Sequence, residues 1–263
     1  MNRVLYCVLI VISLASTSRV WAYNAEHGPF SDETRMRRIP LMEMPRQDAI
    51  KTNESEMVFR FGVPADPGPA VLIYSGKDGI QVKLVVSNRT MFPKTLFSEF
   101  TWVYEYQVEV KTSDLNGDGR RDVIVFSGSG GCGLANGYYN IAFLLSGKEG
   151  YRLTTIQTLF PDVGDWVVLG GKPCFIQTAF EGEGKCKDGK EHNFWIYHIL
   201  VIEGAAMRID NILAPGFPRT ICYSFRPNHD ETTLITDKQK AKLLQRARKE
   251  IFHSVSQTKG GQS

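Results

Sequence analysis

The chain has almost no excess of one charge. It carries 31 Lys and Arg against 28 Asp and Glu, a formal net charge of +3 over 263 residues. Arg3 and Arg19 lie in residues 1–22, which hold no acidic residue, so the remainder has 29 basic and 28 acidic side chains. A global basic surface for nucleic acid is thereby excluded. Long apolar runs are also lacking. Val4 to Ala15 is one short run, below the length of a membrane span, and no second follows. Zinc-type pairs are missing: no C-x2-C or C-x-H spacing occurs. The glycine-rich stretch Ser127-Gly128-Ser129-Gly130-Gly131-Cys132-Gly133 has no Lys-Ser/Thr ending and no helical pattern after it, so it is not a phosphate loop. Gly128-Ser129-Gly130 also lacks the spacing of a nucleophile elbow.

What is present starts with an export signal. Arg3 supplies a positive n-region, Val4–Ala15 the apolar segment, and Val20-Trp21-Ala22 small residues at −3 and −1 for cleavage after Ala22. The expected location is secreted or periplasmic, with no integral membrane segment after cleavage. Cys7 leaves with the signal. Cys132, Cys174, Cys186 and Cys222 remain, an even number that predicts two disulfides with three pairings open. If Glu181-Gly182-Glu183-Gly184 is a turn, Cys174 faces residue 191 and not Cys186. The favoured pairings are then Cys174–Cys222 and Cys132–Cys186.

The fold class is mainly β: antiparallel hairpins in a propeller-like or sandwich arrangement, with a C-terminal α-helix. Tyr23 to Ser55 is polar with Pro29, Pro40 and Pro45, and reads as an extended leader or linker. A β domain is expected over 56–230. Ala70–Tyr74 and Ile80–Val86 flank Ser75-Gly76-Lys77-Asp78-Gly79 as a hairpin. Thr101 to Lys111 alternates apolar and polar residues, the mark of a half-buried strand. Phe194 to Ile202 is apolar on both faces and reads as a central strand. Ser146-Gly147-Lys148-Glu149-Gly150 repeats the earlier turn, and Glu203-Gly204 makes a third. Chance reuse of turn chemistry explains this as well as a degenerate array does. Thr236 or Asp237 caps a basic helix reaching about His253, with Ala241, Leu244, Ala247 and Ile251 as its docking stripe, before a flexible tail over 254–263.

The most specific motif is Asp114-Leu115-Asn116-Gly117-Asp118-Gly119-Arg120-Arg121-Asp122. Side-chain oxygens fall at positions 1, 3, 5 and 9, and a glycine at position 6 permits the turn that brings them inward. Calcium takes six to eight oxygen ligands, and the Arg120 carbonyl at position 7 completes the usual set. The expected metal residues are Asp114, Asn116, Asp118, Arg120 and Asp122, with Ca2+ as the ion. An EF-hand carries a Glu at position 12 between helices. Here position 12 is Val125, inside the strand-like run Val123-Ile124-Val125-Phe126. A loop entering a strand, followed by Ile141–Leu145 and the turn 146–151, resembles the FG-GAP/VCBS type of repeat of secreted β proteins. The resemblance covers about one repeat, roughly residues 114–151. It implies a calcium-stabilised extracellular β fold.

The remaining polar residues carry blander readings. His192 and His198 share a strand at even spacing, too far apart for one ion at about 3.3 Å per residue. Glu181, Glu183 and Asp188 read as a solvated acidic loop. Tyr138, Tyr139, Trp166 and Trp195 are candidates for stacking sugars, although core aromatics are commoner. Two functions follow. One is an exported, calcium-stabilised binding or structural module that recognises an extracytoplasmic protein or glycan. The other is a hydrolase of an extracytoplasmic polymer that uses the calcium-side loops as its site, a reading favoured by a pocket that brings His192, His198 or His229 beside a carboxylate.

Overall fold

The computed structural model describes residues 37–46, 50–53, 56–62, 69–76, 79–86, 89–90, 94–96, 108–128, 137–213, 220–222 and 234–251. The expected signal and tail, Cys132, His229 and the Thr101–Gln107 part of the expected alternating strand lie outside them.

Two short strands, β1 (Arg37–Arg38) and β2 (Met42–Glu43), precede three antiparallel meanders. The first runs through β3 (Ile50–Asn53), β4 (Glu56–Phe61), β5 (Ala70–Gly76) and β6 (Gly79–Val86), with β7 (Arg89–Thr90) and β8 (Lys94–Leu96) beside β6. The second is β9 (Val108–Ser113), β10 (Asp122–Gly128), β11 (Tyr138–Gly147) and β12 (Gly150–Leu159). The third is β13 (Trp166–Leu169), β14 (Lys172–Glu183), β15 (His192–Glu203) and β16 (Ala206–Ile209), with β17 (Thr220–Cys222) also on β15. Helix α1 (Asp237–Ile251) follows. The protein is thus mainly β, in three stacked antiparallel sheets with one C-terminal helix, as the patterning predicts.

The three repeated turns occupy equivalent places. Gly76↔Gly79, Gly147↔Gly150 and Glu203↔Ala206 each close the third strand of a meander onto its fourth. Uneven sequence spacing hides this because the connections between meanders differ in length.

The middle sheet is covered on both faces. Side chains alternate along a strand, so Val123 and Val125 pack with Val71, Ile73 and Phe61 of the first sheet. Ile124 and Phe126 point the other way, to Trp166, Phe175 and Leu200 of the third. Trp166 and Phe175 lie 4.6 Å apart between ring centroids, and Phe126 and Trp166 5.5 Å. Each such fully buried side chain contributes roughly 1.5–3 kcal/mol of transfer free energy. Trp166 and Trp195 are 1% and 6% exposed, so neither stacks a sugar in this arrangement. The third sheet's β15 is buried from Phe194 to Ile202, as expected of a central strand.

Four expectations need correction. Part of the stretch read as a leader is built into the sheets: β1 pairs with β13, β2 with β9, and β3 with β4. Ile39 and Met44 are buried. Two-residue strands are too short to display a period, so the sequence does not announce them. Second, β14 continues through Glu183, and Cys174 pairs with Val201, not residue 191. Cys222 lies opposite Phe194 on the other side of β15. Seven residues along the strand amount to about 23 Å, which rules out a Cys174–Cys222 bridge in this register. Cys174 and Cys186 are buried free thiols. Third, the docked stripe of α1 is Leu243, Ala247 and Ile251, with Leu244 only partly buried and Ala241 exposed. Fourth, Glu181 and Glu183 are not solvated. Their side chains are 11% and 5% exposed beneath the helix, where Arg246 meets Glu181 at 3.2 Å and Lys242 meets Glu183 at 3.3 Å. The helix starts as a capping box: Gln239 N–H donates to Thr236 Oγ1, and Thr236 N–H to Gln239 Oε1.

Candidate functional site

The loop between β9 and β10 is held at three points. Leu115 is 1% exposed and plugs the core between the middle and third sheets. Thr112 Oγ1 donates to the Asp122 carbonyl at 2.7 Å, tying the two strand ends. The turn needs left-handed backbone at Gly117 (φ 74°) and Gly119 (φ 80°), where open space would admit a side chain but the φ disfavours one.

Within that frame the loop's oxygens face its own N–H groups. Asp114 accepts from Gly117 N (2.8 Å), Asp118 N (3.1 Å) and Gly119 N (2.9 Å). Asn116 Oδ1 accepts from Asp118 N at 3.1 Å, and Asp118 Oδ1 from Arg120 N at 2.9 Å. The Arg120 guanidinium sits on Asp118 Oδ2, with Nη2 at 2.7 Å and Nε at 3.2 Å. Burial, the largest single influence on the Asp118 carboxyl, pushes its pKa up. The hydrogen bonds from Arg120 and Ser146 and the Arg120 charge together outweigh it, and the net direction is down.

Asp122 differs from the other three. It is fully buried, and its oxygens accept from Leu115 N (2.7 Å), Asn116 N (3.3 Å), Ser146 N (2.6 Å) and Ser146 Oγ (2.8 Å). Burial raises its pKa despite these bonds. It joins both ends of the loop to the β11–β12 hairpin.

Ser146 is the residue that sequence reasoning missed. Its Oγ lies 3.0 and 2.9 Å from the two Asp118 oxygens and 2.8 Å from Asp122 Oδ1. A hydroxyl has one proton to give. It can serve only one of these three carboxylate oxygens at a time, and it draws the Asp118 and Asp122 carboxylates to one corner. The only sequence signal was the serine of the repeated Ser-Gly-Lys-Asp/Glu-Gly turn. Asn116 Nδ2 adds a second link, donating to the Ser146 carbonyl at 2.7 Å and to Gly204 O at 3.2 Å. The loop thereby bridges the fourth-strand turns of the middle and third sheets.

The donor set is all oxygen, as a hard cation requires. It is not a preassembled cage: among the described residues no three His, Cys, Asp or Glu side chains already converge on one point. To hold an ion, Asp118 would exchange Arg120 for it, and Asp114 would turn from the loop's N–H groups. The loop opens on a cleft of about 820 Å3 lined by Asn116, Asp118, Arg120, residues 146–152, Gly204 and Ala205. Among the described residues no histidine lines it. His198 is buried with Nδ1 3.1 Å from Asn211 Nδ2, and His192 Nε2 lies 2.8 Å from Asp188 Oδ2 at the far end of β15. The two histidines share a strand and meet neither each other nor the loop. Among the described residues no helix is long and apolar enough to cross a membrane. No family model matches the chain, and searches of curated proteins and of solved structures return no significant match.

Proposed function

We propose that this protein is an exported, calcium-stabilised binding module that recognises an extracytoplasmic protein or glycan. The observation that carries the reading is the convergence at Ser146: the Asp118 and Asp122 carboxylates both lie within 3.0 Å of its one hydroxyl, beside the Asn116 side chain, at a place where two sheets are joined. A divalent cation held between these carboxylates locks the joint. Asp114, Asn116, Asp118 and the Arg120 carbonyl supply the exposed side of the site, and Asp122 closes it from the core. The resemblance of residues 114–151 to an FG-GAP/VCBS repeat supports the same ion. The signal-like N-terminus supports a compartment where free calcium is abundant, which suits sites with Kd on the order of 10⁻⁴ to 10⁻³ M. The hydrolase reading gains no support from the cleft's described lining, which offers carboxylates and, among those residues, no histidine. Calorimetric titration of Ca2+ into the wild type and Asp118→Ala tests the proposal. Saturable binding by the wild type and none by the variant is expected; no binding by the wild type overturns it.

A further inference from the structure

Resting on that reading, we infer that Arg120 is a built-in competitor for the cation at Asp118, and that calcium, by releasing its guanidinium, turns the adjoining cleft into a site for a carboxylate-bearing polysaccharide. Asp118 Oδ2 takes both Arg120 contacts, at 2.7 and 3.2 Å. It cannot keep that geometry while ligating a divalent ion. The ion has twice the charge in a smaller volume and prevails when abundant. Arg120 is then left at the mouth of the same cleft.

Charge in the cleft changes accordingly. Arg120, Lys148 and Arg152 line it against Asp118 and Glu149, a balance of one positive charge. Glu149 is occupied by Arg152 at 3.3 Å, an exposed and therefore weak pair. A divalent ion on Asp118 adds two positive charges and frees a planar fork suited to carboxylate. Calcium and a polyanion therefore assist each other's binding, and the coupling is reciprocal.

The class of ligand follows from what else is there. Large apolar side chains exposed among the described residues are Met42 and Ile212, and neither lines the cleft. Protein partners are held by central clusters of aromatic and apolar anchors; among the described residues of this cleft the one aromatic ring is Tyr151. Its described lining holds Tyr151, backbone at glycines and the cations Arg120, Lys148 and Arg152, features that match a hydroxyl-rich acidic chain.

The test is calorimetry on the full mature chain with Ca2+ first, then with a hyaluronan hexasaccharide, in calcium and in EGTA. Arg120→Gln should bind Ca2+ up to about fivefold more tightly, the scale of losing one exposed ion pair. It should also lose the hexasaccharide, while Arg120→Lys retains calcium-dependent saccharide binding. The wild type should bind the hexasaccharide in calcium and not in EGTA. Calcium affinity unaltered by Arg120→Gln overturns this inference alone, as does saccharide binding that is equal in EGTA. A tetra-aspartate peptide binding where the hexasaccharide does not overturns the ligand class. A wild type that binds no Ca2+ overturns both this inference and the proposed function, and shows itself in the first titration.

Discussion

The residues of the loop divide into a half that meets solvent and a half that meets the core, and substitution should separate them. Asp118 is exposed, and its partners are Arg120 within the loop and the Ser146 hydroxyl, which Asp122 also holds. Asp118→Ala should abolish the rise in Tm produced by calcium and leave the Tm in EGTA within a few degrees of the wild type. Asp122→Ala should behave otherwise. It strands the N–H groups of Leu115 and Ser146 in a buried setting, at about 1–3 kcal/mol each. A fall in Tm on the order of 10 °C is expected even in EGTA, as roughly 2–4 °C accompanies each kcal/mol in a domain of this size. Equal EGTA melting temperatures for the two variants, by scanning fluorimetry, would contradict the division. A third residue gives a pH test. Desolvation, with a smaller push from the Asp162 charge, raises the Asp165 carboxyl to about 8. Its folded pKa exceeds its unfolded value. The stability it contributes is full below about pH 4 and is lost as pH rises towards about 8. Asp165→Asn should therefore stabilise the protein more at pH 8 than at pH 5; a pH-independent difference would contradict it. The candidate ligands were legible because ligand chemistry fixes residue type at fixed spacing. Ser146 was not, because only folding sets a residue 24 positions beyond Asp122 against it.

At the scale of elements, hairpins and the central strand were readable because period and turn chemistry are local. Val123–Phe126 and Phe194–Ile202 lack alternation because both faces are buried, and that is how they read. The edge strands β1 and β2 were not readable, since pairing with distant β13 and β9 alone makes them strands. The helix is legible, and Ala247 and Ile251 of its stripe with it, but Leu243 docks in place of Leu244, because the two are equally apolar and only the surface beneath chooses between them. Leu243→Asp should therefore destabilise the fold by several kcal/mol, as expected for an unpaired charge at a site with no exposure. Leu244→Asp should cost distinctly less. Urea melts giving the reverse order would place the stripe as first read. Cys174 offers a further check on β14. Burial raises its thiol to about 11, so it should resist alkylation in the native protein and react in denaturant. A peptide map showing Cys174 bridged to Cys222 would contradict the register of β14, β15 and β17.

For the whole molecule, three meanders share one layout, and the middle one alone carries a long polar loop between its first and second strands. In the third meander that place is taken by the tight turn Gly170-Gly171 between β13 and β14. The insertion is where Asn116 reaches the Gly204 turn and the loop joins neighbouring sheets. A cation there would act on the packing of sheets and not only on one loop. Binding to the native state alone stabilises by about 2.7 kcal/mol at a hundredfold excess over Kd, which corresponds to roughly 5–10 °C in Tm at this size. The direct test is a pair of melts of the mature protein, one in saturating Ca2+ and one in EGTA, with calorimetry to confirm the stoichiometry. The account predicts one bound ion and a higher Tm in calcium, an increment that Asp118→Ala removes. Identical melting curves with no heat of Ca2+ binding would contradict it.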